Sequence, residues 1–341
     1  MHNPKFQAHL AYFGGERGAE RNPQNYQRRD DGGHIFPNTE SYYEWWYFDA
    51  SFDNGYHVVV TFHYRNIFLD PMIPSVQMFI YLPDGSRMDC YDAIPPEKAT
   101  SNPDYCNVVM GENRIQDMGD HYELILKIKD MGARLIFENV VPPWKPGEGF
   151  NYKDEAAGMT AGWVVPVPQG TVKGELYVKG ETIPVTGAGY HDHNWGNYRF
   201  HETFLGWYWG RIHHEKYCVD YGWIIPLEKD APVGSPLLIA RPGEILLSTD
   251  HLEVERSDIR TDDASGVAYA GRLTLKTDVL DIGFRMDIAI RRIIESTPLP
   301  KVTDWNQYYF RFLADYRMQI RVDGREDHIS GEMLNEYIEL C

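Results

Sequence analysis

The sequence predicts an all-β protein built from antiparallel strands, with helix confined to short pieces. Three observations carry that expectation. Apolar and polar residues alternate at period two over many short runs. Turn-forming Asp, Asn, Gly and Pro separate those runs. No stretch shows the 3.6-residue periodicity of a long amphipathic helix. In GFRMDIAIRR, Phe284, Met286, Ile288 and Ile290 alternate with Arg285, Asp287, Ala289 and Arg291, a sorting that a helix does not produce. Many antiparallel strands with turn signals between them point to barrels or sandwiches.

The 341 residues exceed the roughly 100–200 of one ordinary domain, which favours two domains or one large β architecture. Residues 1–40 are rich in Gly, Asn, Arg and Asp without periodicity and read as an irregular surface arm. Order begins at SYYEWWYFDASF, where Tyr43, Trp45, Tyr47 and Asp49 share one strand face and Glu44, Trp46 and Phe48 the other. Asp53-Asn54-Gly55 turns this strand into GYHVVVTFHYR. Further strands are expected at SVQMFIYL, SRMDCYDA, HYELILKIKD and ARLIFENV. The Pro- and Gly-rich VVPPWKPGEGF, residues 140–150, is the expected boundary between a domain at 41–150 and one at 151–341. Strands resume in GTVKGELYVKG, ETIPVTGAGYHDHNWG, TFLGWYWGRI, YCVDYGWIIP, SPLLIARP, GVAYAGRLTLKT and WNQYYFRFLADYRMQIRV. Short helices are expected only near DEAAGMTAG and HISGEMLNEYIEL.

A formal net charge of -17 opposes approach to phosphate backbones and anionic headgroups, so nucleic acid is excluded as a partner. The first residues lack the apolar core of a signal peptide and no run of about 18 apolar residues follows; a soluble, cytoplasmic chain is expected. Cys90, Cys106, Cys218 and Cys341 are far apart and form no C-x-x-C, which reads as reduced thiols rather than a zinc knuckle or disulfide framework. Aromatic residues make up 14% of the chain, enough to line a large cavity with rings.

His191-Asp192-His193 projects two imidazoles to one side of a strand, a spacing used by β-barrel metal sites. A third ligand does not follow at the expected distance: 196–199 read Gly, Asn, Tyr, Arg, and Glu202 comes too late. His201, His213 and His214 remain, but the favoured reading is metal-free, with the histidines bonded to backbone at a strand end. Asp192 is expected to accept backbone N–H groups in a turn before Trp195 and Gly196. In YCVDYGWI, Asp220 shares a face with Cys218, Gly222 and Ile224, and in SRMDCYDA Asp92 continues the face of Met88 and Cys90. A carboxyl among such neighbours keeps its proton more readily, the condition for an acid near neutral pH, although pairing with a core arginine is the alternative for each. Trp45, Trp46, Trp207, Trp209, Tyr221 and Trp223 either fill the core or line a cavity whose π faces stabilise positive charge.

EWWYFDA at Glu44–Ala50, GYHDHNWGN at Gly189–Asn197 and WYWGRI at Trp207–Ile212 resemble the AttH and CrtC-like family, which includes carotenoid 1,2-hydratase, decalin-forming Diels-Alderases and class II meroterpenoid cyclases. The resemblance implies two lipocalin-like β-barrel domains packed together. It also implies, from the hydratases, an acid mechanism using a His and Trp in the HNWG segment and a Tyr-x-Asp pair. His193 and Trp195 match the first pair and Asp220 the acid, but Cys218 stands where the Tyr would be, a departure from the hydratase pattern.

The expected function is therefore a cofactor-independent cyclase that folds a linear prenylated aromatic or polyene, without metal. Asp220 first and Asp92 second would protonate a terminal alkene, His193 would orient the acid or accept the final proton, and the rings just named together with Trp195 would bind substrate. The alternatives are a hydratase adding water to the same alkene, a pericyclic Diels-Alderase and a non-catalytic carrier of an apolar ligand. Such a ligand leaves room for transient membrane contact during uptake.

Overall fold

A computed structural model describes residues 18–34, 42–66, 73–227, 234–302 and 305–340. The chain is largely β, and helix among the described residues is limited to the single 3-10 turns Arg28–Asp31, Pro96–Lys98 and Phe200–Glu202. No helix among them is long and apolar enough to cross a membrane.

Two compact units divide the chain. The first comprises Gln24–Lys145 and Met159–Tyr198; the second comprises the described residues before Gln24, Pro146–Gly158 and those from Arg199 onward. This differs from the expected division at residue 150. The chain leaves the first unit inside the Pro- and Gly-rich stretch but returns to it, because Gly187–Gly196 pairs with Tyr43–Phe52 in antiparallel register, with Trp46 opposite His193.

The first unit's sheet runs in the order Arg87–Ala93, Ser75–Tyr81, His57–Arg65, Tyr43–Phe52, Glu181–Gly196, Met159–Val178, Met131–Asn139, Tyr122–Ile128, Asn113–Asp117, Asn107–Met110, Ala99–Ser101. It curls on itself: the Cys90 thiol on its outermost strand lies 3.7 Å from the Ile128 carbonyl, and the Tyr64 hydroxyl lies 3.4 Å from that of Ala99. Phe48, Phe62, Met78, Ile80, Leu124 and Phe137 fill the enclosed space, each large apolar side chain contributing about 1.5–3 kcal/mol by leaving water. The Asp53–Gly55 hairpin forms as expected, with Gly55 at φ 84°, a region that favours glycine.

The second unit's sheet runs Ala19–Glu20, Glu244–Thr249, Leu237–Arg241, Cys218–Pro226, Phe204–His213, Arg325–Leu340, Trp305–Val322, Ile282–Val302, Ala268–Val279, Glu253–Thr261. The alternation in GFRMDIAIRR holds, since Phe284, Met286, Ile288 and Ile290 all enter this unit's core. In both sheets the two outermost strands of this order are not hydrogen-bonded to each other among the described residues.

Three local expectations are corrected. HISGEMLNEYIEL is strand, because Met333, Asn335 and Tyr337 alternate into the interior and the segment pairs on both sides, with Trp305–Val322 and Phe204–His213; pairing overrides the helix preference of Glu, Met and Leu. DEAAGMTAG is a strand end, a turn and the start of Met159–Val178. The N-terminal arm is not only a surface feature. Ala19–Glu20 adds to a sheet and Asp31 is fully buried in the first unit. Gly32 and Gly33 permit this passage: a Cβ on Gly32 would stand 2.3 Å from the Pro103 carbonyl oxygen, and one on Gly33 2.2 Å from Ser101 Oγ. Cys90, Cys106 and Cys218 are buried free thiols, and Cys341 lies outside the described residues.

Candidate functional site

The alternation in EWWYFDA and GYHDHNWG determines what the first unit places in its interior. Glu44, Trp46 and Phe48 stand opposite Trp195, His193 and His191 in register, on one face of the sheet. His193 stacks on Trp46 with ring centroids 4.3 Å apart, and His191 on Phe48 at 3.8 Å. Asp31 descends between the two histidines, with Oδ2 3.0 Å from His191 Nε2 and Oδ1 3.3 Å from His193 Nδ1. The second contact is at ion-pair distance without hydrogen-bond alignment.

The Tyr122 hydroxyl donates to Asp31 Oδ2 at 2.8 Å, and His191 Nδ1 donates to the Tyr47 carbonyl at 2.9 Å. Glu44 Oε1 lies 3.0 Å from His193 Nε2 and accepts the His34 backbone N–H at 2.7 Å. The Tyr42 hydroxyl donates to the other Glu44 oxygen. Trp195 stacks on His34 at 3.8 Å, nearly parallel.

These groups set one another's charge. Burial disfavours an imidazolium at His193, yet Asp31 and Glu44 outweigh it and push the pKa up to about 9. Burial likewise opposes the charge on Asp31, but His191 and His193 hold its carboxyl below the usual range. Glu44 is depressed in the same way by His193 and His34 against its burial, while burial lowers His34. The interior therefore holds an imidazolium between two carboxylates.

The histidine pair does share one side of its strand, as its spacing predicts, but its partners differ from those expected. Carboxylates contributed from far upstream, Asp31 and Glu44, meet it in place of backbone alone. Asp192 also departs from expectation: the strand continues through Gly196, so there is no turn for it to cap. It accepts from the Trp163 indole at 3.2 Å, the Tyr190 hydroxyl at 2.9 Å and the Asn194 amide at 3.0 Å. Beside it, the Tyr47 hydroxyl donates to Asp49 at 2.9 Å. Tyr47 faces Asp192 and Asp49 faces Tyr190 across the two strands, so two Tyr-x-Asp pairs interlock on the sheet face opposite the histidines.

In the second unit Asp220 is fully buried and stands in register with Arg211 and Leu238. Period two places Trp207, Trp209 and Arg211 on the same sheet face as Asp220 and Gly222. The Arg211 guanidinium lies 5.4 Å over the Trp209 ring, and Trp207 meets Phe200 edge-on at 5.2 Å. Along that face, Arg311 lies 2.9 Å from Glu336 and 3.7 Å from Glu295, and the Tyr309 hydroxyl donates to Glu336 at 2.5 Å.

Tyr221 and Trp223 belong to the opposite face: Tyr221 is held by the Asn335 amide, and Trp223 stacks on Tyr208 at 5.7 Å. The half-buried Trp45 packs on Tyr43 at 5.5 Å, away from the face of Trp46. Asp92 is half-buried on the outermost strand of the first unit between exposed Tyr91 and Ala93. The structure thus groups His193, Trp46 and Trp195 in one unit and Asp220, Trp207 and Trp209 in the other.

No family model matches the chain. In sequence, 171 residues are 26% identical to hydroxyneurosporene dehydrogenase of Chlorobaculum tepidum, covering 48% of the chain and 41% of that relative; the match spans about two fifths of the relative's length. A putative AttH from Nitrosomonas europaea superposes with a TM-score of 0.64 at 16% identity, over 93% of the chain and 98% of that structure. The chain has the AttH and CrtC-like fold. CghA with Sch210972 shares it, with a TM-score of 0.61 at 13% identity over 95% and 98% of the two chains. So does kievitone hydratase from Nectria haematococca, with 0.57 at 13% over 94% and 97%.

Identities this low establish the AttH and CrtC-like fold, and function has to be argued from the sites it carries. Sequence reasoning passed over Asp31, His34 and Glu44 as site residues. The signal for Glu44 was present in its sharing a face with Trp46; for Asp31 and His34 it was the DDGGH run, whose glycines permit close passage.

Proposed function

We propose that the protein is an enzyme that folds a linear prenylated aromatic or polyene and starts its cyclisation by protonating a terminal alkene from Asp220. The observation that carries this reading is a carboxyl wholly withdrawn from water on the sheet face that bears Trp207 and Trp209. An alkene is a weak base, so its acid has to be shielded from solvent, and the cation that follows needs stabilisation without a nucleophile. Indole faces supply that stabilisation. Orienting the chain for ring closure removes on the order of 7–11 kcal/mol of barrier in good cases.

The same reading takes each sheet as a lipocalin-like barrel, the protein as soluble and cytoplasmic, and the chemistry as needing no cofactor. His193 has no free role as the final base in this scheme, because carboxylates face both its ring nitrogens; its part is to hold its unit's interior and the Trp46 and Trp195 rings in place. The names of the similar proteins support an apolar substrate class, one being a hydratase and another a complex with Sch210972.

Incubation of the purified protein with linear prenylated aromatics and polyenes tests the proposal. An isomer of unchanged mass, lost in Asp220→Asn, is the expected result. A product heavier by one water marks a hydratase, and unaltered ligand marks a carrier. Turnover surviving both Asp220→Asn and Asp92→Asn singly would overturn protonation and favour a pericyclic reaction.

A further inference from the structure

We propose that His34, Glu44 and His193 form a divalent-metal site of the zinc type with one coordination position left for water or a substrate oxygen. Their donor atoms lie within 4.8 Å of one another. Glu44 Oε1 is 3.0 Å from His193 Nε2 and 3.4 Å from His34 Nδ1. Zinc bonds of about 2.0–2.1 Å to nitrogen and oxygen place tetrahedral ligands about 3.3 Å apart, so both separations fit one ion.

A second observation points the same way. His34 Nδ1 is buried and makes no hydrogen bond, and an unsatisfied imidazole nitrogen aimed at a carboxylate and a second imidazole is a donor that an ion would satisfy. The surroundings match those that orient metal ligands. Asp31 faces the remaining nitrogen of His193 at 3.3 Å, the Tyr42 hydroxyl holds the remaining Glu44 oxygen, and Trp46 and Trp195 clamp the two imidazole rings.

The neighbouring set Asp31, Cys106 and His191 fits less well, because Asp31 Oδ2 already accepts from Tyr122 and meets His191. The His34 side chain retains 27% of its exposure, which gives an ion a path to the site. Three protein ligands of the His, His, Glu kind leave the open position typical of catalytic rather than structural zinc. Binding replaces the proton at His193 Nε2, which is released to solvent, and leaves Glu44 Oε1 shared between the ion and the His34 backbone amide.

The test uses untagged full-length protein stripped with a chelator and then titrated with Zn2+ or Co2+. The expected result is one equivalent bound per chain, a rise in Tm, and intense visible Co2+ absorption of the four-coordinate kind. His34→Ala, at a partly exposed position, is expected to keep the circular dichroism of the wild type and to weaken binding by no less than the roughly 10–100-fold that loss of an outer partner costs. His201→Ala is expected to bind as the wild type does. Absence of stoichiometric metal in the stripped and reloaded wild type, or binding unchanged in His34→Ala, overturns the site. The readouts are metal content and Tm, so failure here is distinguishable from failure of the Asp220 mechanism, which is read in turnover.

Discussion

The two units bury charge in opposite ways. In the first, Asp31, Glu44, His191 and His193 stand fully buried on the inward face of a curled sheet, each in contact with another member of the set. In the second, the inward face is largely apolar and its buried polar groups include the neutral Thr249, Thr277, Asn335 and Tyr hydroxyls, while Asp220, Arg311 and Glu336 occupy the other face with Trp207 and Trp209. Charges that neutralise one another inside a core stabilise only while the set is complete. Charges set among rings on a sheet face are where recognition and chemistry find groups to use. The two proposals thus divide between the units, with metal binding in the first and proton chemistry in the second.

The largest expected effect tests that division most directly. Asp220→Asn should lower turnover by about 10^2–10^4-fold, the usual contribution of a positioned acid, with a Tm near that of the wild type. A variant that loses Tm and activity together would return Asp220 to a structural role. Asp31→Ala should do the reverse in kind, costing about 3–5 kcal/mol because it leaves buried imidazoles uncompensated, as read by urea denaturation.

The pH dependence of stability follows from the same interior. His193 is raised to about 9, so its contribution is fully present below its unfolded pKa of about 6.5 and is lost as pH rises through 9. Asp31 and Glu44 are depressed, so theirs is present above about 4 and lost on acidification. Chelator-treated protein should therefore be most stable between about pH 5 and 6.5. From there to pH 10 it should lose on the order of 3 kcal/mol, a loss that His193→Gln should largely abolish. The smallest of these effects is expected from Gly32→Ala, at about 1–3 kcal/mol, because its Cβ meets backbone at 2.3 Å. That variant should also weaken Zn2+ binding by displacing His34; unchanged binding would separate the segment's packing from the site.

Much of this was legible in the sequence, and the limits are physical. Period two in EWWYFDA and GYHDHNWG fixes which side chains share a face, so the grouping of Glu44 with Trp46 and of His191 with His193 could be read directly. Which strands become neighbours depends on pairing between residues about 145 positions apart, as in the His193–Glu44 separation of 149, and local alternation carries no information about that. Glu44 and His34 lie far upstream of His193, so spacing along its own strand does not reveal them as its neighbours. In the tail HISGEMLNEYIEL, Glu, Met and Leu favour helix locally, and the alternation of its inward positions, Met333, Asn335 and Tyr337, is weakened by one polar residue. Composition alone does not separate Trp223 and Tyr221 from the other rings, whereas the alternation of their strand places both on the face opposite Asp220.

Asp31 meets His191 across 160 residues of chain, which has a consequence for synthesis on the ribosome. At about 5–20 residues per second, the carboxylate emerges roughly 10–30 s before the imidazoles that neutralise it. Until the hairpin carrying His191 and His193 is made, the early strands of the first unit lack both their central partner strand and the counter-charges of Asp31 and Glu44. The nascent unit therefore carries an unpaired edge at Tyr43–Phe52, and it can close only after the residues up to Gly196 have been translated.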